Sequence, residues 1–366
     1  MRTSTPADDP DTPGHSCLAL VRSGGLGLRG QAVVRVGILV LGDRSMTTRE
    51  NQVSSVDAPP QALDLSIILV TWNALDVTSD ALASIEKFTE GISYEVFVVD
   101  NGTTKDQTPK VLPKRFPWAR FIANPDNRGF SRANNQGIRR ARGRYILLLN
   151  NDTIQIENAL AKAVEYMDHH LDVGALGITH LNNDAERTFQ PSFFDFPRPW
   201  ADVGALLGFS QQGHTGAPDY TTERDADWVV GSFLLMRRAC YEDVGELDER
   251  FFIYDEDVDW CFRAWRSGWK VRYWPGAKMI HVGSAARPFM KDKTFIHFRS
   301  HLSYLKKNHS RSEALSYYAA MAVRLSLATG KHAAKTLVGQ SDLRDLRERL
   351  ERERQFLMLR SGRTGA

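Results

Sequence analysis

The chain has 366 residues, 42% of them hydrophobic and 25% charged, an ordinary globular balance with room for one large domain plus appendages. A net charge of +3 is too small at this length to argue for nucleic acid as a partner, and there are no repeats and no aromatic-basic stacking pattern. Cys17, Cys240 and Cys261 lie far apart without CxxC spacing, which excludes a disulfide framework or a zinc knuckle and points to a reducing cytoplasm.

Residues 1–62 are rich in Ser, Thr, Asp, Pro and Gly and close with Asp57-Ala58-Pro59-Pro60, so they read as a disordered extension and linker. No basic-then-apolar leader pattern opens them. The apolar piece 32–41 is interrupted by Arg35 and Gly37 and is too short to span a bilayer, although 33–41 could add to a sheet edge.

From Leu65 the pattern changes. Nearly continuous apolar runs over 65–70, 95–99 and 145–149 suit strands covered on both faces of a parallel sheet. Ala81, Leu82, Ile85 and Phe88 recur at helical spacing after the first, and Ser131 is the expected cap of a helix running to about Arg142. The alternation predicts a doubly wound α/β domain. Each strand ends in polar residues: Thr71-Trp72-Asn73, Asp100-Asn101-Gly102 and Asn150-Asn151-Asp152. Ligands of open parallel sheets bind beyond the carboxyl ends of strands, so three polar tips predict one crevice.

A helix is expected near 159–167, then a long irregular stretch over about 190–225, then a strand over 228–236. Four carboxylates follow within five positions, Asp255, Glu256, Asp257 and Asp259, between Phe251-Phe252 and Trp260. Val258, Cys261, Phe262 and Trp265 predict the buried face of a helix ending at Gly268, with the acids in its first turn. One or two acids there need only the helix dipole as an explanation. Four of them between apolar flanks imply a site. His281 follows one strand-length later. Residues 299–366 carry 14 Lys and Arg against 6 Asp and Glu, in helical patterns that suit either an anionic membrane face or a solvated surface. The last pattern, 343–354, alternates Arg and Glu and reads as an exposed helix or a self-association element, which leaves a homo-oligomer open.

In this order and spacing, Ser66-Ile67-Ile68-Leu69-Val70-Thr71-Trp72-Asn73, Val98-Val99-Asp100-Asn101-Gly102, Asn127-Arg128-Gly129-Phe130-Ser131, Asn150-Asn151-Asp152, the acidic turn and His281 resemble the inverting family 2 glycosyltransferases of the GT-A fold. The likeness covers about 65–300 and is strongest to the bacterial rhamnosyltransferase-like and galactofuranosyltransferase-like branch. It implies an α/β, Rossmann-like domain with a mixed sheet over 63–290 and a basic helical C-terminal extension over 291–366.

The resemblance also implies roles. Thr71, Asn73, Asp100, Asn101, Asn127, Gly129, Asn134 and Asn151 would bind the donor nucleotide, with Asp100 accepting a pyrimidine ring N–H as an ionised acceptor should. Asp152 and His281 would hold a divalent cation, Mn²⁺ or Mg²⁺, although Asn150 replaces the first carboxylate of the family's Asp-x-Asp. Asp257 would be the general base, paired with Glu256, while Trp228 and Gly231 would border the donor sugar and acceptor. Gly283-Ser284, Arg287, Lys291 and Lys293 would form a lid over the diphosphate, and Arg128 and Arg132 could face it. The implied partners are a dTDP- or UDP-sugar, such as a rhamnose donor, and a lipid-linked or polysaccharide acceptor of cell-envelope synthesis, met in the cytoplasm at the inner membrane face. A sugar-phosphate nucleotidyltransferase would need a Gly-rich phosphate loop after the first strand, which Thr71-Trp72-Asn73-Ala74-Leu75-Asp76 is not. A non-catalytic nucleotide-sugar binding protein would release no nucleoside diphosphate.

Overall fold

The computed structural model describes residues 63–206, 219–283, 293–337 and 342–358. The expected extension 1–62, with the piece 33–41, and the lid residues Ser284, Arg287 and Lys291 lie outside the described residues.

The chain runs β1 (Leu65–Thr71), α1 (Leu75–Phe88), β2 (Tyr94–Asp100), α2 (Thr108–Arg115), β3 (Arg120–Ala123), α3 (Phe130–Ile138) and β4 (Tyr145–Leu149). It continues with β5 (Thr153–Gln155), α4 (Ala159–His169), β6 (Val173–Leu181), β7 (Phe189–Gln190), β8 (Phe193–Phe194), α5 (Pro199–Leu206), β9 (Arg224–Asp225), β10 (Trp228–Val229), β11 (Phe233–Arg237) and α6 (Arg238–Val244). Last come α7 (Glu256–Arg266), β12 (Lys270–His281), α8 (Lys293–Asn308), α9 (Arg311–Leu337) and α10 (Leu343–Met358).

The sheet order is β3-β2-β1-β4-β11-β6-β12-β5. Strands β3 to β4 are parallel. β11 runs antiparallel to both its neighbours, β12 parallel to β6, and β5 antiparallel to β12. The sheet is therefore mixed, as the family resemblance implies.

Its central strands are apolar on both faces because both faces are covered. In β1, Ile67 and Leu69 pack with Ala81, Leu82 and Ile85 of α1, whereas the intervening Ile68 packs with Ile138, Trp260 and Cys261 on the other side. β4 divides in the same way, Leu147 and Leu149 to one cluster, Ile146 and Leu148 to the other. Period-two division of an unbroken apolar run is what a strand buried on both sides requires.

Three expectations are corrected. Ser131 is not a cap: Gly129 occupies the N-cap position of α3, and Ser131 is buried within the first turn. The strand over 228–236 is two pieces, β10 and β11, separated by a turn that the Phe233 N–H closes onto the Val230 carbonyl. On α7 Val258 and Cys261 are buried as expected, together with Asp257, Trp260 and Ala264, while Phe262 is half-buried and Trp265 is exposed.

The C-terminal helices do not hang free. Leu302, Tyr304 and Leu305 of α8 and Tyr317 and Met321 of α9 form a third core with Phe251, ahead of the acidic turn, and Val258 within it. No helix among the described residues is long and apolar enough to cross a membrane.

Candidate active site

Parallel pairing brings Thr71 level with Asp100, so the first two polar tips lie side by side. A cleft of about 440 Å³ opens there, lined by Thr71, Asn101, Asn127, Asn150, Asn151 and Asp152 on its polar wall and by Phe252, Ile253 and Ile296 on an apolar one.

Asn101 organises the polar wall. Its Nδ2 donates to Asn127 Oδ1 (2.9 Å) and to the Gly129 carbonyl (3.2 Å), while its Oδ1 accepts from the Arg128 N–H (3.0 Å) and Asn124 Nδ2 (3.2 Å). Gly129 has φ +86°, and a Cβ there would lie 2.7 Å from the Phe252 carbonyl oxygen. Only glycine lets the two walls approach this closely.

Asn73, Asp100, Gly129 and Asn134 are not among the residues lining the cleft, and the first three brace it. Asn73 Oδ1 accepts from the Thr104 and Lys105 N–H groups, holding the loop after β2. Asp100 accepts from the Thr103 N–H (3.3 Å), and burial raises its proton affinity. Asn134 is buried and donates one turn back to the Phe130 carbonyl.

The third tip meets His281 through strand register. β12 pairs with β5 so that His281 sits opposite Thr153, and the Val282 N–H donates to the Asp152 carbonyl (2.9 Å). This places His281 Nε2 3.3 Å from Asp152 Oδ1 and 3.4 Å from Asn150 Nδ2. Asn151 points elsewhere along the same wall, donating to Thr78 Oγ1 (2.9 Å).

The four acids of the following turn have separate fates. Asp259, fully buried, is structural: it is paired with Arg263 (2.9 Å) and Lys307 (2.7 Å), and Asn308 donates to it (3.1 Å). Asp255 caps α7 from a left-handed conformation, φ 63°, directly after Tyr254 at φ 71°. Consecutive left-handed non-glycine residues are strained, each by roughly 1–3 kcal/mol. α8 holds the strained turn, with Ser300 Oγ donating to the Ile253 carbonyl (2.7 Å) and His301 Nδ1 3.3 Å from Asp255 Oδ1.

Among the described residues, no cation is paired with Glu256 or Asp257. Burial, reinforced by Asp257, drives the Glu256 carboxyl well above its usual range. Burial also pushes Asp257 up to about 6, against the opposing Gly231 N–H, which donates to its Oδ2 at 2.8 Å. Two adjacent acids so placed cannot both ionise near neutrality. The next residue, Ser232, offers its carbonyl to the Asn150 N–H (3.1 Å). The dipeptide Gly231-Ser232 thus ties Asp257 to the Asn150-Asn151-Asp152 tip.

Other expected residues lie apart. Trp228 stacks on Phe194 at 4.8 Å and donates to the Asp195 carbonyl, with no hydrogen bond to the cleft wall. Arg132 is paired with Glu249 and Arg128 with Asp126, so neither is held toward the cleft. Sequence reasoning missed Asn124, a fourth polar strand tip whose signal was present in Phe121-Ile122-Ala123-Asn124. It also missed Ile296 and Gln190, which carry no local signal.

Residues 66–245 match the Glycosyl transferase family 2 description. An N-acetylglucosaminyl-diphospho-decaprenol L-rhamnosyltransferase of Mycobacterium tuberculosis is 28% identical over 235 residues, covering 59% of this chain and 75% of the relative. Rhamnosyltransferase WbbL of Escherichia coli is 28% identical over 168 residues, covering 44% of this chain and 62% of the relative. A solved structure of GalNAc-T7 with UDP, GalNAc and Mn²⁺ has a TM-score of 0.52 at 13% identity, covering 83% of this chain and 57% of that one, a likeness of fold. The chain therefore carries a glycosyl transferase family 2 domain over residues 66–245 and is a glycosyltransferase built on the GT-A α/β fold.

Proposed function

We propose that the protein transfers a sugar, L-rhamnose as in its relatives' names, from a dTDP- or UDP-linked donor to a hydroxyl of a lipid-linked or polysaccharide acceptor in cell-envelope glycan synthesis. The observation that carries this reading is the Gly231-Ser232 bridge, which links the buried Asp257 carboxylate to the strand tip expected to meet the donor diphosphate. A base tied through two backbone hydrogen bonds to the leaving-group side suits one direct displacement.

Asp257 accepts the proton of the acceptor hydroxyl as its oxygen attacks the anomeric carbon. The bond from that carbon to the diphosphate oxygen breaks on the opposite side, the nucleoside diphosphate departs, and the anomeric centre inverts. Glu256 stays protonated, so the pair holds a single charge and the base is Asp257. The Asn101–Asn127 wall flanks the nucleoside, and Asp100 behind it holds the loop after β2 in place.

A divalent cation fits the third tip. Asp152 Oδ1 and His281 Nε2 offer one anionic oxygen and one nitrogen, with the Asn150 amide nitrogen beside them, and no group of three His, Cys, Asp or Glu lies together among the described residues. These two side chains would hold Mg²⁺ or Mn²⁺ together with the donor diphosphate, and the imidazole would favour Mn²⁺. The cation supplies charge neutralisation on the departing diphosphate.

The acceptor lipid places the enzyme at the inner membrane face. α8 exposes Arg299 and Lys306 and carries no acid, and α9 exposes Leu315, Val323, Leu327 and Leu337. Basic and apolar exposure together support contact with an anionic leaflet.

Thermal unfolding with dTDP-rhamnose and a panel of UDP-sugars, with and without Mn²⁺, tests the assignment, because a ligand that binds the native state raises the melting temperature. One donor should give a Mn²⁺-dependent rise, and turnover with acceptor should release nucleoside diphosphate and give a product of inverted anomeric configuration by NMR. Retention of configuration, or release of pyrophosphate, would sink the proposal.

A further inference from the structure

The site contains one glutamine that no family motif supplied. Gln190 lies on β7, beside His180 of β6. Its Nε2 donates to Asn182 Oδ1 (2.9 Å) and to the His281 carbonyl (3.2 Å), both of which only accept. Asn182 is itself oriented, since the Thr188 hydroxyl donates to Asp184 Oδ2 and so can only accept from Asn182 Nδ2 (2.9 Å). Turning the Gln190 amide over would set its oxygen against two acceptor oxygens, so the orientation is fixed by its surroundings.

The consequence falls on His281. With Nε2 engaged, Gln190 Oε1 is the atom left facing His281 Nδ1, with which it forms a short hydrogen bond. An amide oxygen cannot donate, so Nδ1 must carry the hydrogen. A neutral imidazole has one N–H, and the lone pair is therefore on Nε2. Nε2 is the atom that faces Asp152 Oδ1 and Asn150 Nδ2.

We propose that Gln190 is a positioning residue that locks His281 in its Nδ1–H tautomer and so presents the Nε2 lone pair to the cation beside Asp152. The proposal rests on the reading of Asp152 and His281 as the cation site. The grip is double, on the main-chain carbonyl and the ring of the same residue, so it sets both the tautomer and the ring plane. Outer partners of this kind raise metal affinity by orienting the ligand rather than by touching the metal.

The test uses the full chain with ¹⁵N-labelled histidine, metal-free, at pH 8. Two-bond ¹H–¹⁵N correlations report the tautomer of His281, assigned by its loss in His281→Ala, and electron paramagnetic resonance of free Mn²⁺ reports affinity. Gln190→Met keeps the length of the side chain and removes the acceptor, so it should shift His281 toward the Nε2–H form and weaken Mn²⁺ binding about 10- to 100-fold. Gln190→Glu still accepts from Nδ1–H and should retain that tautomer. Should Gln190→Met keep the Nδ1–H form, or Gln190→Glu lose it, the lock does not exist. If Gln190→Met binds Mn²⁺ within twofold of the parent while His281→Ala does not, the lock has no role in binding. If His281→Ala itself leaves Mn²⁺ affinity unchanged, the cation reading fails, and the metal-free tautomer data still tell whether Gln190 sets the ring.

Discussion

Asp257→Asn should be inactive, yet its stability relative to the parent should improve as pH rises. Moving the carboxyl from 3.8 to about 6 corresponds to about 3 kcal/mol of differential stability between the protonated and ionised forms. The folded chain keeps this proton at pH values where the unfolded chain has released it, so the contribution is fully present below about 3.8 and is lost as pH rises through about 6. About 2 kcal/mol of the loss falls between pH 4.5 and 7.5. The asparagine has a separate, pH-independent cost. Both carboxylate oxygens accept backbone N–H groups, from Gly231 (2.8 Å) and Val258 (2.9 Å), and an amide can accept only one, at a penalty of about 1–3 kcal/mol. The variant should therefore be the weaker protein at pH 4.5 and draw level with or overtake the parent by pH 7.5. Relief of Glu256, which loses a charged neighbour, acts in the same direction. Urea unfolding of both proteins across this range gives the difference directly, and a difference that stays constant within about 0.5 kcal/mol would refute the buried, proton-holding carboxylate.

Parent transfer activity should rise with pH through about 6 as Asp257 releases its proton, well above the ordinary aspartate range, and a pH–rate profile at saturating donor checks this. Asp259→Ala leaves Lys307 and Arg263 facing an empty, fully buried position and should cost about 3 kcal/mol by denaturant unfolding, while donor affinity of the folded protein by calorimetry stays close to the parent's. Gly129→Ala puts a methyl 2.7 Å from the Phe252 carbonyl at φ +86°, so thermal unfolding should show a loss of about 2–3 kcal/mol, with weakened nucleotide binding. Asn150→Asp restores the second carboxylate and should raise Mn²⁺ affinity about tenfold by electron paramagnetic resonance, while lowering metal-free stability, because two carboxylates then share one tip.

The parallel half of the sheet was readable because strands buried on both faces leave unbroken apolar runs, and all three of those expected lie within a residue of their place. β3 escaped because Arg120–Ala123 is only four residues long, with Phe121 and Ile122 half-buried between exposed ends. β11 and β10 merged because Val230-Gly231-Ser232 continues the apolar run while its backbone turns, and that turn is where Gly231 meets Asp257. Sequence order also grouped the four acids as one cluster. Helical geometry separates them: Asp259 lies one turn beyond Asp255, where α8 supplies Lys307 and Asn308 from far along the chain. No local pattern announces a partner 48 residues away.

That separation explains how so much negative charge survives in one buried turn. Asp259 is neutralised by two cations and can be removed from the electrostatic balance of the cleft. Asp255 has the His301 ring beside it, and Glu256 takes up a proton, so the net charge left to Asp257 is that of one carboxylate. The C-terminal helices supply Lys307, Asn308 and His301, and with Tyr304 and Leu305 they also bury Phe251 at the head of the strained turn. A truncation ahead of α8 would therefore do more than shorten a basic tail. It would expose Asp259 unpaired and let the Tyr254-Asp255 strain relax, and the base would lose its place before the nucleotide wall lost its own.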